Sequence, residues 1–421
     1  MSITSRTLGT EGARTALAHA LVAAGARVGV TPYNWQLLRS TRRWSWHVAV
    51  PERVPRPPWH ARPARQPGPA DVALCERLIL AYTAALGGRP AGEQASGMWR
   101  WIYEQRQLAL AKILERRDAP ALAAELAVMF RKTFMLGLAP GSLGSHSESA
   151  LGRRIWRIKT LDGLVSLAEA LGVVKVEGPE QAAAGSAFDG GLEQLAERIE
   201  AALDLSIDFP DVGAPYGLAI GRRLLTIESP EQIYSAVRID QALVSQLRGR
   251  ALAAPRIVEI GGGYGATCLW FLRGGRSPER YVIVDLPIVN VLQGYFLSQA
   301  LGDGAVSLFG EPPARVVIAP DSALDSVDVP YDVLVNKDSM PELPEARIKE
   351  YLRWASRTCE GIFFSCNQES AAPFLGEPQG LVPQAVATTG AFARVRRDES
   401  WVRRGYVEEI YARLDSANGR Y

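Results

Sequence analysis

The sequence predicts an α/β fold in the C-terminal half of the chain and a mainly helical region before it. From about residue 250 to the end, short β-branched runs alternate with helical segments, a pattern typical of a doubly wound sheet. Through much of residues 71–205, apolar side chains recur with helical spacing instead. The composition, with 47% hydrophobic and 22% charged residues, is that of a globular protein.

A chain of 421 residues is long enough for one to three domains, and we predict three segments. Residues 1–70 form an N-terminal helix and an arm rich in Pro, Arg and Trp. Residues 71–205 form a helical region that covers a cleft and selects the substrate. Residues 206–421 form the α/β domain.

The charge and hydropathy of the chain limit its partners. The formal net charge is +2, which gives no reason to expect nucleic acid or an acidic membrane. No apolar stretch approaches the length that spans a bilayer, so we expect a cytoplasmic protein. Basic residues interleaved with tryptophans in the arm can bind single-stranded nucleic acid. The near-neutral charge favours an arm whose Trp44, Trp46 and Trp59 pack on the body or on a second subunit, so a homodimer is possible.

The helical region is predicted from apolar residues at a period near 3.6. The segments with this pattern are 71–86, 98–116, 119–138, 155–171 and 188–203, and together they indicate a helical bundle. A loop rich in Gly and Ser interrupts them at 137–152. It contains His146, which could fold over a neighbouring cleft.

The α/β half is predicted strand by strand. The first strand is 257–260, and the second, 281–285, ends in an acid. The third is either 306–309 or 315–319, and the sequence does not decide between them. The remaining strands are predicted at 332–336, 362–366, 392–396 and 406–414, the last two at an edge of the sheet.

The first strand runs into a glycine turn and then a helix. This arrangement gathers backbone N–H groups and the positive end of a helix dipole in one place. The glycines leave no side chain to obstruct a ligand against the backbone. The sequence therefore predicts a nucleotide-type cleft at this turn.

Two registers of the turn predict different ligands. Gly261, Gly263 and Ala266 satisfy the dinucleotide pattern G-x-G-x-x-G/A. Glu259, Gly261, Gly263 and Gly265 satisfy E-x-G-x-G-x-G, in which the carboxylate suits a cationic ligand and poorly suits a pyrophosphate. The acid that ends the second strand, Asp285, is placed to bind ribose hydroxyls, which both ligands have.

Several stretches, in the same order, resemble one family. They are 258–265, 285–287, 293–297, 336–340 and 367–369. In these stretches the chain resembles the sugar O-methyltransferases, class I enzymes that use S-adenosylmethionine (AdoMet), and the resemblance covers roughly residues 216–369. It implies a Rossmann-like class I methyltransferase sheet, AdoMet as cofactor and, as acceptor, a sugar hydroxyl of a glycosylated or nucleoside natural product, as in antibiotic biosynthesis.

The resemblance also implies roles for individual residues. Those expected beside the methionine and ribose parts of AdoMet are Glu259, Gly261, Gly262, Gly263, Tyr264 and Gly265. Asp285 would bind the ribose hydroxyls, and Leu286 would contact the adenine. The segment Asn336, Lys337 and Asp338 would approach the sulfonium.

Methylation of a sugar hydroxyl is helped by a base, which is typically worth about 10²- to 10⁴-fold in rate. We predict Asp338 as this base because it follows the fourth strand, and ligands bind beyond the carboxyl ends of parallel strands. Glu369 and His146 are further candidates. Asp338, Asn367 and Glu369 also present oxygen ligands of the kind that hold Mg²⁺, so a metal that orients the sugar is possible.

Two other functions stay open at the level of the sequence. The first is an NAD(P)-dependent oxidoreductase that uses the dinucleotide register of the glycine turn. The second is a methyltransferase-like scaffold without catalysis in a biosynthetic complex. In the preferred interpretation the partner is a small-molecule glycoside.

Overall fold

The computed structural model describes residues 32–43, 45–49, 51–88, 90, 92, 95–139, 149–178, 185–327, 330–370 and 379–414. Within these ranges the predicted α/β half and the helical region before it are both confirmed. Trp44, His146 and most of the predicted first helix lie outside the described residues, so the prediction that His146 is catalytic stays a prediction.

The helical region consists of α-helices of 4 to 21 residues joined by turns. Its α-helices are α1 Pro32–Arg39, α2 Trp46–Ala49, α3 Pro69–Leu86, α4 Gly97–Ile102, α5 Leu108–Glu115, α6 Ala119–Leu126, α7 Ala150–Ala170 and α8 Gly191–Leu203. The helix predicted at 119–138 ends early, at Leu126, and two 3₁₀ turns follow it. The Phe130 N–H donates to the carbonyl oxygen of Gly213, so a long-range hydrogen bond replaces a helical one there.

The predicted arm packs on the body of its own chain. Its strand β1 (Trp59–Ala61) pairs antiparallel with β2 (Tyr216–Ile220), which pairs with β3 (Arg223–Leu225). The Trp59 ring lies 5.8 Å from that of Trp156 in α7 and 5.7 Å from that of Tyr216, centroid to centroid. The arm therefore connects the helical region to the segment that leads into the main sheet.

The main sheet of the described chain has eight strands in the order β10-β11-β9-β8-β4-β5-β7-β6. Their bounds are β4 Arg256–Ile260, β5 Arg280–Asp285, β6 Val306–Ser307, β7 Val316–Pro320, β8 Tyr331–Lys337, β9 Cys359–Gln368, β10 Phe392–Glu399 and β11 Tyr406–Arg413. Both predicted positions of the third strand are thus extended, but only β7 pairs with β5, while β6 is a two-residue edge.

The order of the strands distinguishes this sheet from a dinucleotide-binding one. Strand β11 lies antiparallel between β9 and β10, and β4, β5, β7, β8 and β9 are parallel. Numbered from β4 without the edge strand β6, the order is 3-2-1-4-5-7-6, whereas the dinucleotide fold has 3-2-1-4-5-6. The inserted last strand therefore argues against the dinucleotide register of the glycine turn.

Helices cover both faces of the sheet. They are α9 Ser229–Gln246, α10 Gly249–Ala253, α11 Ala266–Arg273, α12 Pro287–Leu301, α13 Glu345–Thr358 and α14 Val382–Thr389. The apolar core under α9, α11 and α12 is continuous with the core of the helical region, while α13 and α14 cover a separate core on the opposite face. No helix in the described ranges is both long and apolar enough to cross a membrane.

Candidate active site

A cavity of about 1150 Å³ lies where β4, β5 and β8 end beneath the helical region. This is the carboxyl edge of the parallel strands, the place where open α/β sheets bind ligands. Sites for one small molecule usually measure about 300–1,000 Å³. The cavity is therefore large enough for two ligands side by side.

The glycine turn after β4 forms the floor of this cavity. Gly261 has a φ of 71°, and a Cβ there would lie 2.1 Å from the Ser339 hydroxyl oxygen. Gly263 has a φ of 57°, and a Cβ there would meet only the main-chain oxygen of Leu138, at 3.8 Å. A side chain at Gly261 would displace the segment after β8, and one at Gly263 would point toward the helical region.

Two acids, one in β4 and one in β5, line the cavity beside the glycine turn. Glu259 is buried and accepts a 2.9 Å hydrogen bond from the Tyr281 hydroxyl, and burial raises its pKa to about 7. The Asp285 carboxylate accepts from the Leu286 N–H and from Gln293 Nε2, each at 2.8 Å. Burial raises the pKa of Asp285 to about 8. Both carboxyls would be stabilised as anions by a positively charged ligand.

Most of the residues predicted to hold a cofactor come together around the cavity. Those that line it are Glu259, Gly261, Gly262, Gly263, Asp285, Leu286 and Lys337. Their approach follows from the topology, because β4, β5 and β8 are neighbours in the sheet.

Three other predicted cofactor residues do not line the cavity, and we correct their role to support. The Tyr264 ring packs 5.1 Å from Phe130 and 5.0 Å from Phe296, and its hydroxyl donates to Glu228 at 3.3 Å. Gly265 is the residue just before α11, and a Cβ there would lie 2.7 Å from Leu297. These residues join the turn to the core behind it.

Asn336 is the third of these corrections. Its side-chain nitrogen donates to the carbonyl oxygen of Ile260 at 3.0 Å and to the Ser339 hydroxyl at 2.6 Å. It is completely buried. Asn336 therefore fixes the start of the glycine turn against the segment after β8, and has no exposed atom to offer a ligand.

An ion-pair network lies beside the end of β8. Glu231, in the first turn of α9, pairs with Lys337 Nζ at 2.9 Å and with Arg403 Nη1 at 3.1 Å. Burial acts to raise the pKa of Glu231, but Arg403 and Lys337 outweigh it and lower that pKa to about 2. Among the described residues Glu228 forms no ion pair, and burial, with the neighbouring charge of Glu231, outweighs the more distant Lys337 and Arg403 and raises its pKa to about 8.

Asp338, the predicted base, faces the cavity but is engaged by two donors. Its φ is 61°, in the left-handed region that Asp tolerates better than most residues. One carboxylate oxygen accepts from the Tyr406 hydroxyl at 2.7 Å, and the other pairs with Arg403. Arg403 also lies over the Tyr406 ring, 3.6 Å from its centroid.

Glu369 and Asn367 do not join Asp338 in a metal site, and we correct these assignments. Glu369 is exposed and pairs with Arg397 at 2.7 Å, which lowers its pKa. The buried Asn367 amide donates to Asn336 Oδ1 and Ser365 Oγ. Neither residue lines the cavity. Across the described residues, no group of three His, Cys, Asp or Glu side chains is arranged to hold a metal ion.

Sequence reasoning missed several residues that line the cavity. They are Glu228, Glu231, Lys159, Glu342 and Arg403. Lys159, on α7, is half-buried, and burial lowers its pKa. It forms no ion pair within the described part of the chain. For Lys159 the signal was a lysine within a predicted helix, and for Glu342 it was an acid shortly after a parallel strand.

No protein-family model matches the chain, and no curated protein matches it. Among solved structures, the mitomycin 7-O-methyltransferase MmcR is 14% identical, with a TM-score of 0.35 over 82% of this chain and 96% of that chain. The magnesium protoporphyrin IX methyltransferase ChlM from Synechocystis PCC 6803, with bound SAM, is 11% identical, with a TM-score of 0.31 over 44% of this chain and 81% of that one.

Both of these solved structures are methyltransferases by name, and their likeness to this chain concerns the fold alone. Because both TM-scores are below 0.5, the fold assignment rests on the strand order and on the helices that cover both faces. The fold is a Rossmann-like α/β sheet with helices on both faces, preceded by a helical region.

Proposed function

We propose that the chain is an AdoMet-dependent O-methyltransferase that acts on a sugar hydroxyl of a glycosylated or nucleoside natural product. The observation that carries this proposal is the pair of protonatable carboxyls, Glu259 and Asp285, beside the glycine turn. AdoMet carries a sulfonium and an ammonium group, so it favours the ionised forms of both acids. A pyrophosphate would instead place negative charge beside Glu259.

The residues at the ends of the strands match successive parts of the AdoMet molecule. Asp285 is placed for the ribose hydroxyls, with Leu286 next to it for the adenine. At Gly263, where a Cβ would meet only the main-chain oxygen of Leu138 at 3.8 Å, the missing side chain leaves room for the part of the ligand that lies against the backbone. Lys159 also lines the cavity and, with no ion pair among the described residues, offers a cation for the carboxylate of the donor.

The part of the cavity under the helical region suits a hydroxylated acceptor. Gln36, Ser40 and Ser96 provide hydrogen-bonding groups there, and Trp99 provides an aromatic ring. A few polar groups around an aromatic surface are typical of small-molecule sites. This wall supports a sugar as acceptor, in agreement with the resemblance of residues 216–369 to sugar O-methyltransferases.

AdoMet supplies an already activated methyl group, so the protein has mainly to align the acceptor oxygen and exclude water. A cavity enclosed between the sheet and the helical region serves to align the acceptor and to exclude water. A base that accepts the hydroxyl proton adds about 10²- to 10⁴-fold in rate. The chain therefore has to place one carboxyl near the acceptor and the donor together.

Isothermal titration calorimetry with S-adenosylhomocysteine (SAH) and with NAD⁺ tests the choice of donor. We expect SAH to bind and NAD⁺ to give no heat of binding. Binding of NAD⁺ without binding of SAH would overturn the proposal in favour of an oxidoreductase.

A product search tests the reaction itself. Purified protein, AdoMet and a panel of glycosides and nucleosides are incubated, and products heavier by one CH₂ are sought by mass spectrometry. We expect such a product from at least one glycosylated compound. Binding of SAH with no methylated product over the whole panel would favour a non-catalytic scaffold.

A further inference from the structure

A second carboxyl faces the cavity beyond β8, four residues after Asp338. Glu342 ends the 3₁₀ turn Met340–Glu342 and is half-buried. Its Oε2 accepts a 3.1 Å hydrogen bond from the indole Nε1–H of Trp99. Within the described ranges, no Lys or Arg forms an ion pair with it. We infer that Glu342, rather than Asp338, is the base that takes the proton from the acceptor hydroxyl; this rests on the proposed function and deepens it.

The partners of the two carboxyls decide between them. Asp338 is bound by a guanidinium and by a phenol hydroxyl, and both of these bonds stabilise its anion. To accept a proton it would have to give up at least part of both interactions. Glu342 has one neutral donor on one oxygen, so its second oxygen is available to a ligand in the cavity.

The surroundings of Glu342 make it a stronger base than an ordinary carboxylate. Burial, and then the negative charge of Asp338, raise its pKa well above the usual range. Asp285 adds a smaller effect in the same direction, while the Trp99 N–H and Arg403 oppose it. A base works best when its pKa lies near the working pH, and these groups move Glu342 toward that condition.

The step balances with the groups already placed in the cavity. The acceptor O–H bond breaks and its proton passes to the ionised Glu342 carboxylate. The acceptor oxygen forms a bond to the methyl carbon as the carbon–sulfur bond of AdoMet breaks, and its electron pair stays on sulfur in neutral SAH. Glu342 then releases its proton to water.

Trp99 is a positioning residue in this arrangement. It lies in α4 of the helical region and is buried, with 8% of its surface exposed. Among the described hydrogen bonds, the one from the Trp99 N–H is the only one by which the helical region orients the Glu342 carboxyl. The helical region therefore covers the acceptor and also sets the direction of the base.

Glu342→Gln tests the inference on the glycoside that the wild-type enzyme methylates. We expect kcat to fall by about 10²- to 10⁴-fold, the usual contribution of a general base. SAH affinity should stay within threefold of wild type, because Gln has the shape of the protonated acid. Glu345→Gln is the matched control, since that acid is exposed and pairs with Lys349 on the surface of α13. Its kcat should not change.

The pH profile separates a base from a merely structural residue. In the wild type, kcat should fall at low pH as Glu342 becomes protonated, and Glu342→Gln should lack this acidic limb. Trp99→Phe removes a hydrogen bond that lowers the pKa of Glu342, so its acidic limb should move to higher pH. A packing role of Trp99 would lower kcat equally at every pH.

The failures of the two proposals can be told apart. An active wild type with a Glu342→Gln variant that retains kcat within threefold, or keeps the acidic limb, would overturn the inference alone. Loss of the limb in Asp338→Asn but not in Glu342→Gln would return the role of base to Asp338. Absence of methyl transfer by the wild type would overturn the inference together with the proposed function.

Discussion

At the scale of single residues, the cavity contains acids and a lysine whose shifted pKa values favour their neutral forms. Burial raises the pKa values of Glu259 and Asp285 and lowers that of Lys159. Groups held in this way gain most from a ligand of the opposite charge. AdoMet offers both signs, because its amino-acid part carries a carboxylate as well as an ammonium, next to the sulfonium.

Lys159→Met tests whether the lysine binds the carboxylate of the donor. Hydrogen bonds to charged groups are worth about 1.5–3 kcal/mol, so SAH affinity should fall by roughly 10- to 150-fold. Affinity for 5′-methylthioadenosine, which lacks the amino-acid part, should not change. Lys175→Met, at an exposed lysine after the same helix, is the control. Calorimetry gives both affinities. Unchanged SAH binding with a higher KM for the acceptor would assign Lys159 to the acceptor instead.

The sequence predicted some of these residues and not others for a physical reason. Glu259 and Asp285 end neighbouring parallel strands, so the strand pattern alone brings them together. Glu342 depends on a hydrogen bond to a residue 243 positions earlier in the chain. No local pattern contains that contact. Glu369, although also just beyond a strand, faces Arg397 of β10, a partner that the sequence did not reveal.

At the scale of elements, the strands were predicted well because each is a short β-branched or apolar run bounded by turns. All the predicted core strands occur, with ends that differ by a few residues. The 3₁₀ turns after α6 were missed because apolar residues continue there with helical spacing. Beyond the helix, Phe130 packs against Phe209 and Tyr264, which lie far along the chain, and no local pattern contains these contacts.

The glycine turn is the element on which donor binding depends most, and Gly261→Ala tests it. A left-handed φ costs an alanine roughly 1–2 kcal/mol. Gly275 also has a positive φ, of 83°, but a Cβ there meets nothing within 4 Å, so Gly275→Ala isolates this backbone cost. In Gly261→Ala the new methyl group also meets Ser339. We expect a larger loss in the free energy of unfolding than in the control, measured in urea, and loss of SAH binding. Equal losses in both variants would show that the close approach to Ser339 is unimportant.

At the scale of the whole molecule, the cavity makes stability depend on pH in an unusual direction. The pKa values of Glu228, Glu259 and Asp285 rise from ordinary values of 4.5, 4.5 and 3.8 to about 8, 7 and 8. At a pH between the ordinary pKa and the raised pKa of such a carboxyl, the group is protonated in the folded chain and ionised in the unfolded chain. Stability therefore falls as pH rises through this window. Glu231, with its pKa lowered to about 2, acts in the opposite sense only below pH 4.5.

We expect the melting temperature of the ligand-free protein to decrease from pH 6.5 to pH 8, above the range in which the lowered pKa of His47 acts in the opposite sense, and Asp285→Asn to flatten this slope. AdoMet should reverse part of the effect, because its positive charge favours the ionised carboxyls and so lowers their pKa values. Binding of AdoMet at pH 7 should then release protons, which appears as a dependence of the calorimetric enthalpy on the ionisation enthalpy of the buffer. SAH, which lacks the sulfonium charge, should release fewer. A melting temperature that rises over this pH range, or equal proton release by both ligands, would contradict the assignment of these acids to a cationic methyl donor.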